Sequence, residues 1–214
     1  MIAIKAENLG RRFSSKSVLQ GLNFEIPLGE SVALMGPNGS GKTTLLRILC
    51  TLLLPSEGDV WILNHSLVTQ SKNIKHELGW GSATDRGFIP RFTGLENLQF
   101  FGSLRGLSRQ RITDQIERWM KMDVIAAALD TPFYLCSTGM KQSLSIIRAT
   151  LTDPRILFLD EPTRSLDSKS SESLRDLLKH YAKGRTLICA THSEEEARIL
   201  TSRRFVLDGG QLRC

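Results

Sequence analysis

The sequence predicts an α/β fold built on a parallel sheet, and three observations carry that prediction. Leu157–Leu159 and Thr186–Ala190 are apolar throughout, as strands covered on both faces must be. Ser31–Met35 (SVALM) is another apolar run, and it leads straight into a glycine-rich turn. From about Thr93 to Thr152 the pattern changes. Apolar residues recur there at helical spacing, at Leu95, Leu98, Phe101 and Leu104, then at Ile112, Ile116 and Met120.

In chain order, Ile2–Ala6 and Asn23–Ile26 read as strands of an early antiparallel patch. Ser31–Met35 is a core strand, and Thr43–Leu53 is the helix that follows the glycine-rich turn. Asp59–Leu63, Leu78–Gly81, Arg155–Leu159, Thr186–Ala190 and Arg204–Leu207 are further strands, and Asp208-Gly209-Gly210 is a hairpin turn near the end. The helical segment, about 93–152, is expected as a lobe inserted between core halves 1–92 and 153–214. At 214 residues the whole is a single domain with room for a sizeable core.

Composition narrows the partners. A net charge of +6 suits phosphate ligands, nucleic acid or an anionic membrane face. The four cysteines, Cys50, Cys136, Cys189 and Cys214, include no CxxC pair, so they read as free thiols in a reducing compartment. Lys5 and Glu7 stand where a signal peptide needs apolar residues. The richest apolar run, Leu45 to Leu54, is broken by Arg47 and is too short to span a bilayer. The chain is therefore expected to be soluble and to reach a membrane only through a partner.

The strongest local signal is Gly36-Pro37-Asn38-Gly39-Ser40-Gly41-Lys42-Thr43-Thr44. It fits G-x-x-x-x-G-K-[ST], with a strand before it and a helix after. Backbone N–H groups must wrap a polyphosphate closely, which demands glycines that turn sharply. The helix starting near Gly41 aims its positive end at the phosphates. Lys42 adds a charge for the β- and γ-phosphates, and the Thr43 hydroxyl suits Mg²⁺.

The second signal is the apolar strand ending in Asp160-Glu161. Two carboxylates at a strand tip sit on the sheet edge where open α/β sheets bind ligands. Asp160 would hold the Mg²⁺ shell and Glu161 would polarise the attacking water. By itself the pair could equally cap the next helix. His192, just past Thr186–Ala190, falls on the same edge, within reach of a γ-phosphate.

These elements in this order resemble the ABC (ATP-binding cassette) ATPase family across essentially the whole chain. The resemblance implies a P-loop NTPase core of ABC type, with an antiparallel β patch and an inserted helical lobe. It puts Phe13 where the family stacks an aromatic on adenine. Arg164-Ser165-Leu166-Asp167 matches the D-loop, so Asp167 joins the nucleotide site. Cys136-Ser137-Thr138-Gly139-Met140 falls at the signature, usually Leu-Ser-Gly-Gly-Gln, and keeps its Ser137 and second glycine, Gly139. The surrounding Ser-Thr-Gly-Met-Lys-Gln looks like the variant of drug and polysaccharide exporters. Ser137 also reads as a plain helix N-cap, which is compatible. One position departs: Ser82-Ala83-Thr84-Asp85-Arg86 lacks the family's glutamine that touches Mg²⁺, so either Asp85 substitutes as an oxygen ligand or the role is lost.

The resemblance implies an ATP- and Mg²⁺-using subunit that energises a membrane exporter. Two copies, or this chain and a homologue, would sandwich ATP head to tail and drive an integral membrane permease subunit. Trp80, Phe100 and Phe101 lie near the expected docking groove, and core packing is the expected role of at least two of them. The chain would sit in the cytoplasm, peripheral on the inner face of the cell membrane. No nucleic-acid partner is expected, because the coiled coil of DNA-maintenance relatives is absent. A soluble assembly ATPase remains the alternative.

Overall fold

The computed structural model describes residues 1–82, 87–164 and 166–213. Two sheets form the frame. β1 (Ile2–Phe13), β2 (Lys16–Pro27), β4 (Glu57–Ile62) and β5 (His65–Ser66) make an antiparallel sheet in the order β2-β1-β4-β5. The second sheet contains β3 (Ser31–Met35), β6 (Leu78–Ser82), β7 (Ile156–Asp160), β8 (Thr186–Ala190), β9 (Arg203–Asp208) and β10 (Gln211–Arg213). Its order is β10-β9-β3-β8-β7-β6, parallel except for the β9–β10 hairpin.

The apolar runs behave as two-sided strands. Val32, Leu34, Ile156, Phe158, Ile188 and Ala190 face one core. There they meet helix α1 (Lys42–Leu49) and the inner face of the antiparallel sheet. Leu157, Leu159, Leu187 and Cys189 alternate onto the other face. That face is covered by α6 (Thr138–Thr150) and α7 (Ser168–Tyr181), and Ala33 and Met35 of β3 pack on Ala197 of α8 (Glu194–Leu200). Burying both faces turns strict alternation into an unbroken apolar run.

Between β6 and β7 the chain is helical, as the spacing predicts. α3 (Gly94–Leu104), α4 (Arg109–Glu117) and α5 (Asp123–Asp130) precede α6. Thr93 starts α3 with a capping box, accepting from the Glu96 N–H while the Glu96 carboxylate accepts from the Thr93 N–H. These helices share one core with α7 and the back of the parallel sheet.

Several boundaries differ from the sequence expectations. β1 and β2 run 12 residues each, well beyond Ile2–Ala6 and Asn23–Ile26. Register shifts and the positive φ of Asn8 break the alternation without ending the pairing. α1 stops at Leu49 rather than Leu53. Thr51 turns left-handed, and Leu52 and Leu54 lie exposed. β5 and the short helix α2 (Leu67–Gln70) were not anticipated.

Candidate active site

The parallel register lines up four strand ends. Leu34 pairs with Ala190, Ala190 with Asp160, and Asp160 with Ser82. The residues next in sequence therefore leave the sheet at one edge. They are the loop from Gly36, Glu161, and Thr191-His192. The stretch after Ser82, with the candidate Asp85, lies outside the described residues.

The loop is shaped by two glycines above all. Gly36 has φ +142, and a Cβ there would overlap the carbonyl of Leu207. Gly41 has φ +108 and forms the left-handed start of α1, which carries no side-chain cap. Lys42 is buried, and its ammonium donates to the carbonyls of Gly36 (2.7 Å) and Pro37 (3.0 Å). No carboxylate pairs with it among the described residues. Ser40 Oγ is buried with no hydrogen-bond partner among the described residues. A buried cation, an orphan hydroxyl and an uncapped helix start together fit a phosphate chain.

Thr43 Oγ1 donates to Asp160 Oδ2 at 2.8 Å, across 117 residues of sequence. Burial raises the Asp160 pKa from its ordinary value, the Thr43 hydrogen bond lowers it, the Glu161 charge raises it, and the charges of Arg47 and Lys42 lower it. Paired hard oxygens, one on a half-desolvated carboxylate, fit a Mg²⁺ ion. The hollow over these groups measures about 470 Å³. Val18, Asn38, Gly39, Gly41, Lys42, Thr43, Thr44, Arg47, Ser82, Asp160, Glu161 and Arg164 line it.

Glu161 has φ +52, which a non-glycine residue adopts only when its surroundings impose it. Its N–H donates to Ala190 O at 2.9 Å, and its Oε2 lies 2.6 Å from His192 Nδ1. The two sequence candidates thus meet directly. They share a second hollow with Gly36, Pro37, Asn38, Thr163, Arg164, Thr191 and Ser193.

Other sequence candidates lie apart. Phe13 ends β1 with its ring 43% exposed and the Arg11 guanidinium 4.4 Å from its centroid. Val18 of β2 is the apolar wall of the loop hollow. Asp167 caps α7 by accepting from the Ser170 N–H (3.0 Å), and the Ser170 hydrogen bonds hold its pKa low. Ser165 of the D-loop match lies outside the described residues. Ser137 caps α6: its Oγ accepts from the Met140 N–H, and its own N–H donates to Met140 Sδ at 3.4 Å. Gly139 is buried in the first turn of that helix. Neither Ser137 nor Gly139 borders the two hollows.

Two residues escaped the sequence reading. Gln142 is fully buried on α6, and its Nε2 reaches the Glu161 carbonyl at 3.5 Å. Glu196 is 1% exposed, and its pKa is raised by burial despite hydrogen bonds from Thr191 and Thr163. It stands behind the loops that carry His192 and Glu161. Glu194-Glu195-Glu196 reads as a solvated acidic turn, so only tertiary packing singles out its third member. Cys50, Cys136 and Cys189 are free and buried, and burial raises their pKa values. Cys214 lies outside the described residues.

Comparison with known proteins agrees with this geometry. The family model described as "ABC transporter" matches residues 19–164. "Nod factor export ATP-binding protein I" of Rhizobium sp. (strain N33) is 34% identical over 211 residues, covering 98% of this chain and 69% of that protein. "ABC transporter ATP-binding protein NatA" of Bacillus subtilis (strain 168) is 32% identical over 214 residues, covering 98% of this chain and 87% of that protein. A dimeric ATP-binding cassette in a post-hydrolysis state with ADP and Pi superimposes with a TM-score of 0.85 at 30% identity, covering 99% of this chain and 97% of that one. No helix among the described residues is long and apolar enough to cross a membrane. A P-loop at the sheet edge, an acidic strand tip facing it and this matched span place the chain in the ABC transporter family, as an ATP-binding and ATP-hydrolysing cassette.

Proposed function

We propose that this cassette hydrolyses Mg²⁺-ATP in a head-to-tail dimer and thereby energises a separate integral membrane permease, working as an exporter. The carrying observation is the Thr43–Asp160 hydrogen bond beside Lys42 and Glu161, on one sheet edge. Lys42 exchanges its loop carbonyls for β- and γ-phosphate oxygens, and Ser40 and the start of α1 supply further donors. Thr43 and Asp160 hold Mg²⁺, which when bound neutralises charge on the phosphates. Phe13, through its exposed ring, offers the adenine platform.

Glu161 orients water in line with the γ-phosphorus. The new O–P bond forms as the bond to the β,γ-bridging oxygen breaks, giving ADP and phosphate. Glu161 takes the water proton. His192, bonded to Glu161 Oε2, fixes that carboxylate's direction and faces the γ-phosphate side. Ser137 and Gly139 act on the nucleotide of the partner chain, and Asp167 lies at the same dimer face.

The helical segment 93–152 serves as the lobe that meets the permease. A groove of about 400 Å³ supports this reading, because Trp80, Phe101, Leu104, Arg105 and the exposed Leu52 line it. The export relatives' names support the direction of transport. The chain would then sit in the cytoplasm, on the membrane's inner face. Phosphate release that requires Mg²⁺, and a membrane fraction that holds the chain only when an integral partner is co-expressed, are the expected results. Binding of the purified chain to protein-free liposomes would overturn the permease route.

A further inference from the structure

The two hollows over the strand ends meet, and three residues line both: Asn38, Glu161 and Arg164. A triphosphate whose inner phosphates follow the loop at Lys42 and Thr43 must bring its terminal phosphate to that boundary. Glu161, which directs water at that phosphate, stands there. Of the three boundary residues only Arg164 is a cation. The neighbouring cations are placed or engaged otherwise. Lys42 serves the β- and γ-phosphates from the loop side of the first hollow, whichever nucleotide is bound, and Arg47 lines that hollow alone. His192 lines the second hollow alone and is bonded to Glu161.

Arg164 is exposed, and its guanidinium has no ion pair or hydrogen bond among the described residues. Its backbone is fixed all the same: the Arg164 N–H donates to the Glu161 carbonyl at 3.3 Å, closing the turn that follows the strand tip. That turn sets a long cationic side chain at the same lip as the Glu161 carboxylate. A γ-phosphate seated against Glu161 brings like charges together, and a counter-charge at their boundary offsets the repulsion. A guanidinium suits this place better than an ammonium, because its planar fork can meet two phosphate oxygens at once.

We propose that Arg164 is a ligand of the terminal phosphate of ATP bound to its own chain, and that it lets the cassette distinguish ATP from ADP. The proposal rests on the Mg²⁺-ATP reading above. ADP ends one phosphate short of the boundary and leaves Arg164 without a partner. ATP engages it, and hydrolysis releases it again. Nucleotide state is thereby reported to the turn that leads into Leu166 and Asp167.

The test is calorimetric titration of wild type, Arg164→Ala and Arg164→Lys. The probes are ADP and the non-hydrolysable β,γ-imido analogue of ATP, each with Mg²⁺. Arg164→Ala should bind the triphosphate analogue about tenfold more weakly, the scale of one hydrogen bond to a charged group. ADP affinity should stay within about twofold, which also shows that the variant is folded. Arg164→Lys should recover part of the loss. An unchanged triphosphate-to-diphosphate ratio in Arg164→Ala, with wild type binding both, would overturn this proposal alone. Wild type that binds neither nucleotide would overturn the ATP reading and this proposal with it.

Discussion

Helices α1 and α6 both begin with groups suited to an anion, yet their first turns are finished differently. α1 starts from a left-handed glycine, Gly41, with no side chain on its free N–H groups and a buried lysine, Lys42, in its first turn. α6 starts from Ser137, which closes on Met140 in both directions. The first turn of α1 is complete only with a ligand. That of α6 is already capped in the single chain, where Ser137 Oγ accepts from the Met140 N–H and keeps its hydroxyl hydrogen for an outside acceptor. An uncapped end beside a buried lysine favours an anion within the chain, whereas a self-capped one engages only what a neighbour brings to its hydroxyl. In the dimer proposed above, the cassette would hold a standing half-site and a conditional half-site.

The largest effect should come from the standing half. Glu161→Gln should lower phosphate release by about 10²–10⁴-fold, with ATP affinity kept. Turnover equal to wild type would remove Glu161 from the water-directing role. Ser137→Arg comes next. It should leave ATP binding by the single chain intact, measured by titration, while phosphate release falls to background. Mixing it with Lys42→Ala should restore part of the activity, because one complete site forms from a good P-loop and a good Ser137. Full activity of Ser137→Arg by itself would erase the distinction between the halves.

A smaller effect separates function from stability. The folded Asp160 pKa is raised, chiefly by burial. The native state therefore binds more protons than the unfolded chain around that pKa, and ionised Asp160 costs stability above it. That cost fades as pH falls through the raised value. Asp160→Asn should melt higher than wild type at pH 8 without Mg²⁺, lose that advantage on acidification, and fail to release phosphate. In wild type, Mg²⁺ dependence should weaken at a higher pH than for an ordinary aspartate. Ser137→Ala should do the reverse and lose about 1 kcal/mol of cap, seen as a melting point lower by about 2–4 °C. A stabilised Ser137→Ala would mean that the first turn of α6 is not satisfied by Ser137.

Much of this was legible in the sequence, for identifiable reasons. The runs at 157–159 and 186–190 are apolar on both faces, and only a covered strand tolerates that. The loop from Gly36 carries its spacing and its flanking strand and helix on its face. The sequence expectation for α1 runs four residues past its end because Leu52, Leu53 and Leu54 continue the apolar run, although the backbone turns left-handed at Thr51. The expected β1 stops short of the real strand because Glu7 and Asn8 interrupt the alternation at a register shift. In the site, the positions of Asp160, Glu161 and His192 follow from strand ends. The 2.6 Å contact between Glu161 and His192 does not, since it links loops 31 residues apart. Gln142 and Glu196 were invisible because a polar residue on a helix reads as solvated until the sheet behind it is placed.

The strand order has a consequence for how the molecule comes into being. β3, which launches the P-loop, has no consecutive neighbour in its sheet: it lies between β8 and β9, with Val32 opposite Ile188 on one side and Arg203 on the other. The carbonyl that backs Gly36 belongs to Leu207. During synthesis the phosphate loop is made well before β8 and β9, the strands that wall it. Contacts so distant in sequence form late and slowly. Nucleotide is thus a ligand only of the finished sheet, and its binding adds stability to completed molecules and none to partial ones. In the cell, ATP would favour fully folded cassettes over nascent or truncated ones before any of it is hydrolysed.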